Sequence, residues 1–433
     1  MKTKITHLAN GGILIYQKSK LNNSSAVEVG FLSGSYNEEK KGTAHFLEHT
    51  LFKKTKNRSN ATIESDRNKI AFLNAMTSLD YLVISFFRSN KLLGSAMEFA
   101  EDVLINSVVD DEYIETEKGV ITEELAMCKD GESRDIYVKN LIQTQSNSSF
   151  SSDIVGGSEE NIKAISFDDL LKYKNDFFVG NNFIISVVSS KSHFKIKSLV
   201  NKYFVKNIPL KTDAKKIKRH FKETTIDKDS SLMVFQNTQE KITVMVSIKI
   251  DKAETDLRYN LCYSFLAKYF SGEQGDLFLK LRNKGLIYRL NADYCCFDKD
   301  SLFNISFESS KEKIKEIVEI IGQYISEVLA KNVDESYIKS YKDNYDYMTD
   351  EIMPTKMKQI CHENLLEFIY FGKIEHITSK LRKKIKKSLS SAGVSLVAKE
   401  IFNKNNKIFV TVLGNVTSDY IQNIEYFKVN YLK

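Results

Sequence analysis

His45-Phe46-Leu47-Glu48-His49 places two imidazoles four residues apart, with a carboxylate one residue before the second. On a helix, positions four apart share a face about one turn apart, close enough for both to hold one ion. Imidazole nitrogen is a good zinc ligand. Glu48 projects to the side of the pair, within reach of a water beside the metal without having to bind the metal itself. The order is the inverse of the more familiar His-Glu-x-x-His and is a signature of hydrolytic zinc sites. Gly42-Thr43-Ala44 leads into the stretch and Thr50-Leu51-Phe52-Lys53-Lys54-Thr55 leads out of it. The chain has only seven histidines, so two in this register stand above background.

A catalytic zinc takes three protein ligands and keeps one position open. The remaining histidines are scattered singly, so a carboxylate is expected to complete the set. A helix through Glu117-Lys118-Gly119-Val120-Ile121-Thr122-Glu123-Glu124-Leu125 offers one. Glu117 and Glu124 are seven apart and share a face two turns apart, whereas Glu123 is rotated by about 100°. Alone, this segment reads as a solvated acidic helix.

Outward from the motif, the chain divides into two halves with one pattern. The first opens with strand-like Gly12–Tyr16 and Ala26–Leu32, and the second with Leu232–Gln236 and Ile242–Ile250. Amphipathic helical stretches follow in each, then strands and more helices. Leu92–Val108 puts Ala96, Phe99, Ala100, Val103 and Leu104 on one face, and Asp111–Lys129 follows as a second helix. The halves close on Asn182–Val188 and Lys407–Leu413. A repeated strand, strand, helix, strand, strand, helices, strand order predicts an α+β protein of two similar α/β-sandwich domains in tandem. The expected bounds are residues 1–212 and 227–433, joined by a linker over 213–226 within the lysine-rich segment Lys206–Asp227.

At 433 residues with 42% hydrophobic side chains, the chain is long enough for two buried cores. Its net charge of +7 is carried mostly by lysines, with clusters at Lys215–Arg219 and Arg382–Lys387. Acidic residues are spread throughout, so these clusters read as solvated surface, and no nucleic acid is expected as a partner. The five cysteines are odd in number and form no Cys-x-x-Cys pair. That points to reduced thiols and a reducing compartment. Cys295 and Cys296 are expected on opposite faces of a strand. The apolar run before Tyr16 is too short for a signal core, and no stretch approaches the roughly 20 apolar residues of a membrane span. The expected location is cytoplasmic.

Together these residues resemble the pitrilysin/insulinase family of zinc peptidases, which includes the mitochondrial processing peptidases. In order, the resemblance runs through Ser33-Gly34-Ser35, Gly42–Thr55, Asn74-Ala75-Met76-Thr77-Ser78, Glu117–Leu125, Ile154–Ile162, Gly180–Phe183 and Leu277–Tyr288. It implies a duplicated processing-peptidase-like fold, one zinc ion per chain held by His45, His49 and Glu124, and Glu48 as general base. Glu117 is implied as a catalytic-site carboxylate that orients a histidine. Asn74 and Ala75 are implied on an edge strand to which a peptide substrate adds. Arg282 and Tyr288 are implied to touch the substrate backbone or a developing oxyanion. Lys54 stands where the family often has glycine, and Arg282–Tyr288 is one residue shorter than in many relatives. Relatives enclose peptides or unfolded segments in a clamshell of four such domains, which implies a homodimer of this two-domain chain. A heterodimer with a related subunit, or a non-catalytic peptide-binding subunit, is the alternative.

Overall fold

The structure is a computed structural model of the chain. It describes residues 3–21, 23–129, 132–144, 155–220, 226–236, 240–251, 257–272, 275–296, 300–331, 333–350, 354–372, 374 and 386–415. Of the expected linker, residues 221–225 lie outside this set, as do residues 382–385 of the second basic cluster and Ile154.

In chain order the first strands and helices are β1 (Lys4–His7), β2 (Ile13–Lys18), β3 (Ser24–Phe31), α1 (Thr43–Leu51), α2 (Asn60–Asn68), β4 (Ala71–Thr77), β5 (Leu82–Ser89), α3 (Leu93–Ile105) and α4 (Asp111–Lys129). Then come α5 (Glu132–Thr144), α6 (Glu159–Ala164), α7 (Phe167–Phe177), β6 (Phe183–Ser189) and α8 (His193–Val200). The second series is β7 (Ser231–Phe235), β8 (Lys241–Ile250), α9 (Leu257–Ser271), α10 (Asp276–Asn283), β9 (Leu290–Cys296) and β10 (Ser301–Ser310). It ends with α11 (Ile314–Ala330), α12 (Glu335–Asp350), α13 (Pro354–Phe371), α14 (Ser391–Ile401) and β11 (Ile408–Leu413).

The sheets run β1-β2-β6-β3-β5-β4 and β7-β11-β8-β10-β9. Apart from β1 they share one topology. In each, the first pair is parallel (β2 with β6, β7 with β11) and the remaining pairs are antiparallel. The repeated element order of the sequence is thus a repeated sheet, and the fold is α+β.

Side-chain alternation explains the layers. Along β3, Val27, Val29 and Phe31 join α1, α3, α7 and α8 in one core. Ala26 points the other way, into a smaller cluster with Met357 and Cys361 of α13. Leu365 and Ile369 of the same helix meet Ile13, Ile15, Val83 and Ile184. Buried on both faces, these strands read as nearly continuous apolar runs, whose direction only the structure resolves. The second sheet is built alike: Val244, Val246, Phe303, Ile305 and Val410 face the core with α9 and α11, and Met245 and Leu413 meet Ile136 of α5.

The chain forms two compact units, and neither is one continuous stretch. Unit 1 comprises residues 1–128, 153–220 and 349–379, and unit 2 comprises 129–152, 221–348 and 380–433. The sequential bounds 1–212 and 227–433 miss this interleaving. In each unit a helix from the other half of the chain covers the second face of the sheet. Its amphipathic pattern says that it covers a sheet but not which one.

Candidate metal centre

α1 is anchored by its own apolar face. Ala44, Phe46, Leu47 and Leu51 are fully buried, which turns His45, Glu48 and His49 to the partly exposed side. Truncating a buried Phe such as Phe46 typically costs about 3–5 kcal/mol, so the orientation of this helix is strongly determined. Gly42 precedes it at φ 89°, and Gly157 packs against it at φ 73°. A Cβ on Gly42 would stand 2.7 Å from the Gly156 carbonyl oxygen, and one on Gly157 would stand 3.1 Å from the Gly42 Cα. Glycine at 42 and 157 therefore meets both the left-handed backbone and the close approach.

The side chains converge with α4. His49 Nε2 lies 3.2 Å from Glu124 Oε2, and His45 Nε2 lies 3.8 Å from the same oxygen. Tetrahedral zinc with bonds near 2.1 Å spaces its ligand atoms roughly 3.4 Å apart, so these separations bracket the required value. Ligand atoms of His45, His49 and Glu124 all lie within 4.8 Å of one another, and among the described residues no fourth side chain joins the group. The donor set of two imidazoles and one carboxylate, with a position left over, fits a catalytic zinc site.

Glu117 sits behind the cluster, 2% exposed. Its Oε2 is 3.2 Å from His49 Nδ1 and its Oε1 is 2.6 Å from Lys53 Nζ. Burial pushes its carboxyl up, but the His49 hydrogen bond and the Lys53 ammonium outweigh this and hold it below the usual carboxylate range. It thereby fixes which His49 nitrogen faces Glu124. Glu48 stands outside the ligand group and accepts a hydrogen bond from Thr77 Oγ1 at 2.5 Å. Burial raises its carboxyl above the ordinary value, partly offset by Thr77 and His49.

Asn74 and Ala75 lie on β4, which ends its sheet among the described residues, paired on one side with Ser85 and Ile84 of β5. Among the described residues no strand pairs with the other side of β4, which lies next to α1. Arg282 and Tyr288 belong to unit 2, at the end of α10 and just past it. The Arg282 guanidinium donates to the Tyr288 carbonyl at 3.0 Å and lies 5.1 Å from the Tyr288 ring centroid, and that ring is 83% exposed. Glu123 is exposed on another side of α4, and Lys54 pairs with Asp110 at 3.0 Å.

Sequence reasoning missed Lys53, Thr77 and Glu38, which bonds the backbone N–H groups of Gly42 and Ala44. Lys53 and Thr77 fall inside quoted segments, but nothing in their spacing marks them.

A duplicated α+β frame carries a His-x-x-Glu-His helix, the inverted order of the His-Glu-x-x-His motif, with a carboxylate from a second helix beside it. The chain belongs to peptidase family M16, the insulinase family. The family model described as "Insulinase (Peptidase family M16)" matches residues 13–153, and "Peptidase M16 inactive domain" matches residues 164–345. Over 206 residues the chain is 33% identical to the probable mitochondrial-processing peptidase subunit beta of Schizosaccharomyces pombe, spanning 47% of this chain and 45% of that one. It is 27% identical over 206 residues to cytochrome b-c1 complex subunit 1 of Bos taurus, spanning 47% of this chain and 42% of that one. The matched region is thus under half the length of either relative. In fold, the chain is similar to a protease from Helicobacter pylori, with a TM-score of 0.78 at 17% identity over 95% of this chain and 99% of that one. It is also similar to a peptidase M16 inactive domain from Pseudomonas fluorescens, with a TM-score of 0.80 at 13% identity over 96% and 99%. Among the described residues no helix is long and apolar enough to cross a membrane.

Proposed function

We propose that this chain is a zinc-dependent endopeptidase that cleaves peptides or unfolded segments, with one zinc ion held by His45, His49 and Glu124. The observation that carries the proposal is the convergence of both histidines on one oxygen of Glu124, at 3.2 and 3.8 Å, with Glu48 beside them and outside the ligand group. Zinc bound there supplies Lewis acidity toward water and toward a peptide carbonyl. Glu48 takes the proton of the attacking water and delivers it to the leaving amine, and its desolvated carboxylate is suited to both transfers. Glu117 keeps the His49 ring oriented. Asn74 and Ala75 offer the open edge of β4 to the peptide backbone, so the substrate is read chiefly as an extended strand. Arg282 and Tyr288 contact the substrate or the oxyanion.

The proposed assembly is a homodimer working in the cytoplasm, with the four units of two chains enclosing the substrate. The fact that one curated relative is named as a beta subunit supports the alternative, a heterodimer with a related chain. The test is cleavage of an unfolded protein substrate before and after chelation. The expected result is loss of cleavage with chelator and its return with one equivalent of zinc. Cleavage indifferent to metal removal would refute the proposal.

A further inference from the structure

The residue at the cap position before α1 is Gly42, which has no side chain to cap the helix. The first N–H groups of any helix lack intrahelical acceptors, and the usual remedy is an oxygen on the residue at the helix start. Here the acceptor comes from the preceding loop. Glu38 Oε1 accepts from the Gly42 N–H at 2.9 Å, and Glu38 Oε2 accepts from the Ala44 N–H at 2.9 Å. One carboxylate thus grips two main-chain amides on either side of Thr43, a two-point contact that leaves the first turn little freedom to rotate. The residue after Ala44 is His45.

The opposite side of the same turn is closed by backbone. Gly157 packs on Gly42, and a Cβ on Gly156 would stand 3.8 Å from His45 Nδ1. The turn is therefore held between a carboxylate and a glycine pair that packs too closely on Gly42 to admit a side chain there. Glu38 is turned inward, and burial pushes its carboxyl up to about 7 against the pull of the backbone N–H groups and, at longer range, Lys41. A carboxylate kept in such surroundings opposes the positive end of the helix dipole.

The geometry points to Glu38 as a positioning residue of the metal site: its carboxylate clamps the first turn of α1 in the register in which His45 and His49 converge on Glu124. This inference rests on the proposed zinc site and extends it to the loop ahead of the helix.

The test compares the full chain with its Glu38→Gln and Glu38→Asp variants. Gln keeps the size but presents an N–H₂ to one of the two amides. Asp keeps the charge but falls one methylene short. Four quantities are read: amide hydrogen exchange of residues 42–46 in the metal-free protein, the zinc Kd by competition with a chelating dye, and kcat and KM at saturating zinc. For Glu38→Gln the expected results are exchange at Ala44 at least about tenfold faster and a zinc Kd about tenfold higher. In the same variant kcat falls several-fold while KM stays within twofold, and Glu38→Asp is intermediate on every reading. A folded Glu38→Gln protein with exchange and Kd within twofold of wild type overturns the inference. Wild type that takes up no zinc would instead refute the proposed function, and exchange in the metal-free protein would still decide whether the clamp exists.

Discussion

The Glu117 carboxylate lies 3.2 Å from His49 Nδ1 on the side away from Glu124, and its second oxygen is held by Lys53 at 2.6 Å. His49 is thus fixed from behind by a buried carboxylate that is itself fixed by Lys53, four residues further along the chain than His49. Removing such an outer partner typically costs 10–100-fold in metal affinity. Glu117→Ala is expected to raise the zinc Kd by about that factor, and Lys53→Met by less, since Glu117 then keeps its bond to His49. Competition with a chelating dye measures both. A Glu117→Ala Kd within twofold of wild type would show that His49 needs no such support.

Arg282 and Tyr288 already touch each other, through the Tyr288 carbonyl and the stacked guanidinium. They are in unit 2 and away from the three ligands in sequence, so their removal is expected to act on substrate and not on metal. Arg282→Ala should raise KM for a peptide roughly tenfold with an unchanged zinc content. Steady-state kinetics alongside metal analysis checks this, and an unchanged KM would remove Arg282 from the substrate contacts.

His220 is 7% exposed, and burial lowers its imidazole to about 4 from an ordinary 6.5. Between pH 6.5 and 4 the unfolded chain therefore binds a proton that the folded chain does not. Stability falls as pH drops through that window, by about 3 kcal/mol from this group alone, and the loss is constant below it. His220→Gln removes the titration. Urea unfolding across this range is expected to show a flatter pH dependence in the variant, whereas equal slopes would mean that His220 is protonated in the folded state.

Much of this site is readable in the chain. Helical spacing sets His45 and His49 on one face with Glu48 beside them, and a seven-residue interval sets Glu117 and Glu124 on one face of α4, but only the family resemblance gave those two glutamates their roles. The family resemblance, and not the spacing, singled out Asn74 and Ala75, which sit on β4 at the end of its sheet among the described residues. Lys53, Thr77 and Glu38 were not legible for other reasons: Lys53 meets Glu117 of a second helix, Thr77 reaches Glu48 from a strand, and Glu38 bonds backbone groups that have no sequence signature. β1 was missed because its four residues are mostly exposed and show no apolar alternation. The crossing of α5 and α13 was missed for a different reason. Met357, Cys361, Leu365 and Ile369 define an apolar stripe, but two sheets of the same topology offer it nearly equivalent faces.

Assembly is open to a direct reading. Two units per chain call for a second chain if the peptide is to be enclosed, and sedimentation velocity on the purified protein is expected to show a dimer with full activity. A fully active monomer would contradict the enclosed-chamber account while leaving the metal site intact.

The central claim concerns Glu48, a carboxylate beside the cluster, outside the ligand group and hydrogen-bonded to Thr77. The most direct measurement is mass-spectrometric cleavage of a mixed peptide library by zinc-loaded wild type and Glu48→Gln, with the zinc content of each determined. A general base contributes about 10²–10⁴-fold. The account predicts cleavage by wild type and a loss of that order in the variant at equal zinc. Equal cleavage by both, or none by folded, zinc-loaded wild type, would contradict it.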